Sequence, residues 1–143
     1  MSKFERFMKR NKIEKANEFY PATKSLLDEN GKPILWELKH LTSKEVGNIR
    51  ELCTKEIQVK GKPGVFIPKL NANEYGHKLI IASVVTPDLY DAELQDSYGV
   101  KTPDDLLYAI MDNPGEYMEL VNFVQKLQGL DVTLEEKVEE AKN

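Results

Sequence analysis

The sequence predicts an α+β fold dominated by helices, with a small antiparallel sheet from about residues 34–67 packed on a multi-helix C-terminal region. Three observations predict it. A cap residue followed by proline and then acid recurs as Thr86-Pro87-Asp88, Thr102-Pro103-Asp104-Asp105 and Asn113-Pro114-Gly115-Glu116. Apolar residues repeat at helical spacing from residue 71 to residue 127. Between residues 34 and 67 the pattern changes to short apolar runs divided by glycine and proline.

At the N-terminus, Phe4, Phe7 and Met8 occupy the i, i+3, i+4 positions of one helical face, with basic residues around the remainder. Residues 1–20 therefore read as a basic amphipathic arm or helix. Its apolar stripe docks on the protein's own core, on a partner or on a membrane surface. Residues 11–33 carry no clear period, and Asp28-Glu29-Asn30-Gly31-Lys32-Pro33 predicts a turn. Trp36 and Leu38 alternate in a strand, after which Thr42-Ser43-Lys44-Glu45 supplies a capping box for a helix running to about Cys53. Ile57 and Val59, then Val65 to Ile67, flank Lys60-Gly61-Lys62-Pro63-Gly64 and predict a hairpin, which together with the Trp36 strand would make the small sheet.

From Asn71 the chain becomes helical, apolar nearly all round through Tyr75, Leu79, Ile80, Ile81, Val84 and Val85, as a central helix must be. The three proline phrases then predict helix starts. A Thr or Asn oxygen accepts a terminal N–H, proline at the first position loses no hydrogen bond, and acid faces the positive end of the helix dipole. Asp91 to Tyr98 reads as a short helix closed by Gly99, and the helix through Tyr117, Leu120, Val121, Val124 and Leu127 is closed by Gly129. Thr133-Leu134-Glu135-Glu136 predicts one more start, in an acidic tail over residues 130–143 that reads as mobile.

A chain of 143 residues fits a single domain over 1–143, and at that size folding hides roughly 70% of the surface of the unfolded chain. With 41% hydrophobic and 31% charged residues, disorder throughout is excluded. A net charge of -4 gives no global attraction to nucleic acid or anionic lipid, so neither is an expected partner. One cysteine, Cys53, allows no internal disulfide, and its place beside Val46, Ile49 and Leu52 predicts a buried small apolar residue. The N-terminus has no signal-peptide apolar stretch, and no window reaches the ~20 apolar residues of a membrane span, which predicts a cytoplasmic protein.

Reaction chemistry is not written in this sequence. His40 and His77 have no ligand-type residue at i+4, and the acids Asp88, Asp91, Glu93 and Asp96 lack the spacing and central glycine of a calcium loop. Asp104, Asp105 and Glu116 have sufficient roles at helix starts, and Ser25, Ser43 and Ser83 lie in no nucleophile elbow. Gly61-Lys62-Pro63-Gly64 lacks the spacing and the Lys-Ser/Thr pair of a phosphate loop. The expectation is a non-enzyme with no catalytic residue, metal or cofactor.

The run Ala82-Ser83-Val84-Val85-Thr86-Pro87-Asp88-Leu89-Tyr90-Asp91-Ala92-Glu93-Leu94-Gln95-Asp96-Ser97-Tyr98-Gly99-Val100, followed by Thr102-Pro103-Asp104-Asp105-Leu106-Leu107, resembles the signature stretch of phage tail assembly chaperones. Residues 1–12 and 137–143 resemble members from defective Bacillus prophages. The resemblance implies a small protein of the host bacterial cytoplasm that binds the tape-measure protein, and in some settings meets the tail tube protein, keeping the former soluble until tube subunits polymerise around it. A permanent connector or completion component of the tail is the alternative. On the chaperone reading, Leu89, Tyr90, Leu94 and Tyr98, with Phe4, Phe7 and Met8, are the expected partner contacts; closing the core is the other use for the same side chains.

Overall fold

The computed structural model describes residues 2–130, so the acidic tail from residue 131 on and the helix start expected at Thr133 lie outside the described residues. In chain order, two 3-10 turns (Glu5–Phe7 and Lys9–Asn11) precede β1 (Glu18–Tyr20), β2 (Trp36–Leu38), α1 (Ser43–Leu52), β3 (Thr54–Gln58), β4 (Phe66–Leu70), α2 (Ala72–Ser83), β5 (Val84–Thr86), α3 (Ala92–Ser97), α4 (Pro103–Ile110) and α5 (Pro114–Leu127). The class is the helix-dominated α+β expected from the sequence.

α2 is the organising helix, in contact with α1, α4 and α5. Tyr75, Gly76, His77, Leu79, Ile80, Ile81 and Ser83 are all buried, which is the all-round burial its composition predicts. Its approach to α5 is close: a Cβ at Gly76 would lie 3.3 Å from a Val121 methyl. Leu106, Leu107, Ile110 and Met111 of the α4 region and Leu120 and Val124 of α5 complete the core with Trp36, Leu38 and Cys53. Cys53 is fully buried at the end of α1, as its apolar neighbours predict.

The strands pair differently from the expectation. β2 is the middle strand of a sheet ordered β1-β2-β5, both pairings antiparallel, while β3 and β4 form a separate two-stranded hairpin. β2 is thus paired on both edges, and its Trp36 and Leu38 are 1% and 0% exposed. β5 covers one edge, with Val84 opposite Leu38 and Thr86 opposite Glu37. β1 covers the other, and its Tyr20 ring stacks 4.1 Å from Phe123 of α5, which seats the sheet on the helices.

That pairing also corrects one of the three proline phrases. Thr86-Pro87-Asp88 does not start a helix: Thr86 is the last residue of β5, its bond to Pro87 is cis, and the next helix is capped by Asp91, which accepts from the Leu94 N–H at 3.0 Å. The β-branched residues Val84 and Val85, expected in α2, extend as a strand because β2 needs an edge partner there. The other caps form as their sequences dictate. Thr102 accepts from Asp105 N–H and Asn113 from Glu116 N–H, each with proline inside the first turn, and Thr42 with Glu45 closes a reciprocal capping box.

Candidate partner-binding surface

The expected contact residues fall in two places, and the first is the corner from Thr86 to Gly99. Asp88 turns the chain by accepting the Tyr90 N–H at 3.0 Å, and Asp91 caps α3. Gln95, nearly buried, donates from Nε2 to the Leu89 carbonyl at 2.8 Å and so ties α3 back onto the turn before it. At the far end the Val100 N–H donates to the Gln95 carbonyl and the Gly99 N–H to that of Asp96. With Gly99 at φ 71°, this is the left-handed closure that glycine permits.

This bonding fixes which side chains face out. Leu89 is 2% exposed and belongs to the core, and Leu94 is half-buried against it. Tyr90 is 68% exposed and Tyr98 37%. Of the four corner residues the structure therefore leaves the two tyrosines open, while Leu89 and Leu94 hold the corner in place.

The second place is the N-terminal arm. Of the arm or helix expected there, the described residues form two 3-10 turns and no α-helix, tied by the ion pair of Arg10 with Glu5 and by Asn11 Nδ2 donating to the Glu5 carbonyl at 2.7 Å. Phe4, Phe7 and Met8 are all exposed, with the Phe4 and Phe7 rings edge-on at 6.1 Å. The stripe is not docked on the core among the described residues. Among the described residues no hydrogen bond or ring contact joins the arm to the corner.

A polar cluster that the sequence does not reveal joins α2, α4 and α5. His77 lies between the Tyr117 hydroxyl, 2.7 Å from Nδ1, and the Asp104 carbonyl, 3.1 Å from Nε2, with its ring stacked 4.1 Å from Tyr108. A carbonyl can only accept, so Nε2 carries the proton and Nδ1 accepts from the tyrosine. Burial lowers the His77 pKa from its ordinary 6.5 and pushes that of Tyr117 well up. Lys78 beside it pairs with Asp104 at 2.6 Å, and that carboxylate raises the lysine's pKa. The His77, Lys78 and Tyr117 contacts of this cluster tie α2 to α4 and α5. Glu116 does similar work, accepting from Lys24 N–H and Thr23 Oγ1, both at 2.8 Å, across more than ninety residues of sequence.

The fold and these surfaces define a small α+β scaffold in which His77, Asp104 and Glu116 bond one element to another, and whose exposed groups include several aromatic and aliphatic side chains. Comparison with known proteins gives the class a family. The family model described as "Phage XkdN-like tail assembly chaperone protein, TAC" matches residues 4–142, and the chain belongs to that family. Similar curated proteins from Bacillus subtilis (strain 168) are the phage-like element PBSX protein XkdN, 27% identical, and the uncharacterized protein YqbN, 25% identical. Each match covers 96% of this chain and 91% of the relative. The crystal structure of the protein YqbN superposes with a TM-score of 0.73 over 90% of this chain and 98% of that one, at 17% identity, which supports the fold. No described helix is long and apolar enough to cross a membrane.

Proposed function

We propose that this protein is a cytoplasmic chaperone of the phage tape-measure protein, holding it in a soluble form while the tail tube is assembled and taking part in no catalysis. The observation that carries the reading is the family match over residues 4–142, almost the whole chain, to tail assembly chaperones. A rod-like helical client exposes long apolar stripes, and a chaperone for it must offer apolar contact on a soluble exterior. Tyr90 and Tyr98 on the corner, positioned by Leu89 and Leu94, and Phe4, Phe7 and Met8 on the arm supply such contact on this reading.

Co-expression with the tape-measure protein encoded in the same element tests it. The client should be soluble with the wild-type chain and should precipitate with Tyr90→Glu/Tyr98→Glu or Phe4→Ser/Phe7→Ser variants that remain folded by circular dichroism. A client equally soluble with and without the chain refutes the reading. Recovery of the chain in purified mature particles refutes it in favour of a permanent tail component.

A further inference from the structure

The hairpin β3–β4 carries a feature that its own folding does not explain. Its register sets Lys55 directly opposite Lys69 and Ile57 directly opposite Ile67, and the Val59 N–H donates to the Val65 carbonyl to extend the ladder. Paired residues of an antiparallel ladder share a face and alternate with the next pair, so the lysine rung, the isoleucine rung and the valines line one side. Like charges directly opposite each other destabilise a strand pair, and a two-stranded hairpin is marginal by itself. Among the described residues the ion pairs are Arg10 with Glu5 and Lys78 with Asp104, so neither Lys55 nor Lys69 meets a carboxylate there. Residues 54–70 hold four lysines against one glutamate in a chain whose net charge is -4.

The apolar rungs beside those lysines are open: Ile57 is 37% exposed, Val65 44% and Ile67 48%. Lysines on an exposed strand hinder sheet-to-sheet association, yet that purpose does not require two of them face to face beside a concavity. At the hairpin base lies a depression of about 470 Å³, lined by Lys55, Ile57, Lys69 and Leu70 and by the first turn of α2. It shares Ala72 and Asn73 with a second depression of about 310 Å³ that runs on to Tyr108, Tyr117 and Met118. The surface is thus a trough, with a cationic, aliphatic end and an aromatic end.

We propose that this lysine-bearing face and its trough dock an amphipathic helix of a partner protein whose apolar stripe is flanked by carboxylates. The stripe lies on Ile57 and Ile67, and a carboxylate seated between Lys55 and Lys69 relieves their mutual repulsion. A phosphate backbone would answer the lysines and leave the isoleucine rung uncovered, and the hairpin's one aromatic residue, Phe66, pairs with Gln58 in the rung that faces the other side. The inference stands on the hairpin's register and goes beyond the tape-measure reading, which can fail or hold separately in the co-expression assay.

The test uses the full chain and a fluorescein-labelled synthetic helix of about 20 residues, long enough for several turns, with a leucine stripe flanked by glutamates. Its counterpart has lysines in place of the glutamates. Anisotropy should show the glutamate peptide binding wild type, with affinity reduced about tenfold or more by Lys55→Glu/Lys69→Glu and by Ile57→Ser/Ile67→Ser, and reduced by salt. The lysine peptide should bind wild type weakly and gain affinity on Lys55→Glu/Lys69→Glu. Circular dichroism and melting of both variants guard against unfolding, and no core residue lies between Cys53 and Leu70. Absence of binding overturns the proposal, as does binding that ignores both variants. A dimer dissolved by Ile57→Ser/Ile67→Ser, or duplex DNA retained by wild type and lost in Lys55→Glu/Lys69→Glu, assigns the face to another occupant and overturns it as well.

Discussion

Replacing Gln128 by alanine should cost about 2–3 kcal/mol, and the sum can be worked from three hydrogen bonds. Gln128 Oε1 accepts the Leu41 N–H at 2.7 Å, and its Nε2 donates to the Lys39 carbonyl at 2.9 Å and to Ser83 Oγ at 3.0 Å. One side chain thereby ties the end of α5 to the strand leaving β2 and to the end of α2. Leu41 is half-buried, so its stranded N–H costs about 1–2 kcal/mol, whereas the exposed Lys39 carbonyl regains water and costs about 0.5 kcal/mol. Ser83 keeps its bond to the Leu79 carbonyl and loses only an incoming donor, again about 0.5 kcal/mol. The assay is urea unfolding followed by the fluorescence of Trp36, the chain's one tryptophan and 1% exposed. The midpoint should fall with the slope unchanged, and the melting temperature should drop by about 6–9 °C at roughly 3 °C per kcal/mol. Gln128→Glu keeps the acceptor for Leu41 but turns an oxygen toward the Lys39 carbonyl, so it should be at least as damaging as alanine. An alanine variant within about 0.5 kcal/mol of wild type, or a glutamate variant as stable as wild type, would refute the assignment.

Three further outcomes follow from the same structure. His77 titrates lower folded than unfolded, so the unfolded chain takes up the proton first: its contribution is complete above pH 6.5 and declines as pH falls through that value. The urea midpoint should accordingly drop between about pH 7.5 and 5.5, on either side of the ordinary histidine pKa, with a smaller drop in His77→Gln; equal drops would show that another group is responsible. Glu116, held below 4.5 by the Lys24 N–H and the Thr23 hydroxyl, adds stability that is present above that value and lost as pH falls through the folded pKa. Glu116→Gln should cost on the order of 1 kcal/mol at neutral pH and nothing once the native carboxyl is protonated, as measured by thermal melting across that range. Cys53 is fully buried and burial raises its thiol pKa, so a disulfide reagent should leave it unmodified until urea unfolds the chain. Rapid native labelling would place that residue outside the core.

What could be read from the sequence was local. Thr42, Thr102 and Asn113 cap helices because each cap's bond lies within three residues of it, and Gly99 and Gly129 close helices for the same reason. Thr86-Pro87-Asp88 reads identically and behaves differently, because Val84 to Thr86 answer to Glu37 and Leu38, nearly fifty residues earlier. β1 went unread since Glu18-Phe19-Tyr20 has neither turn signals nor enough alternation, and its place is fixed by Trp36 on one side and Phe123 on the other. On the candidate surface, the corner's position was legible but its facing was not. Leu89 turns inward and Tyr90 outward through bonds from Asp88 and Gln95 that no spacing rule displays. The opposed lysines were equally hidden, because opposition is a property of register.

The separation between hairpin and core has an evolutionary meaning. The core accepts Cys53 on one side of the hairpin and Leu70 on the other, and takes no side chain from the sixteen positions between those two residues. Substitutions, insertions or charge reversals in that excursion leave the buried side chains where they are. Related chains are thus able to diverge in length and sign at residues 55–69 while keeping one scaffold, so a lineage can exchange what this projection meets without first finding compensating changes in Trp36, Leu79 or Leu120.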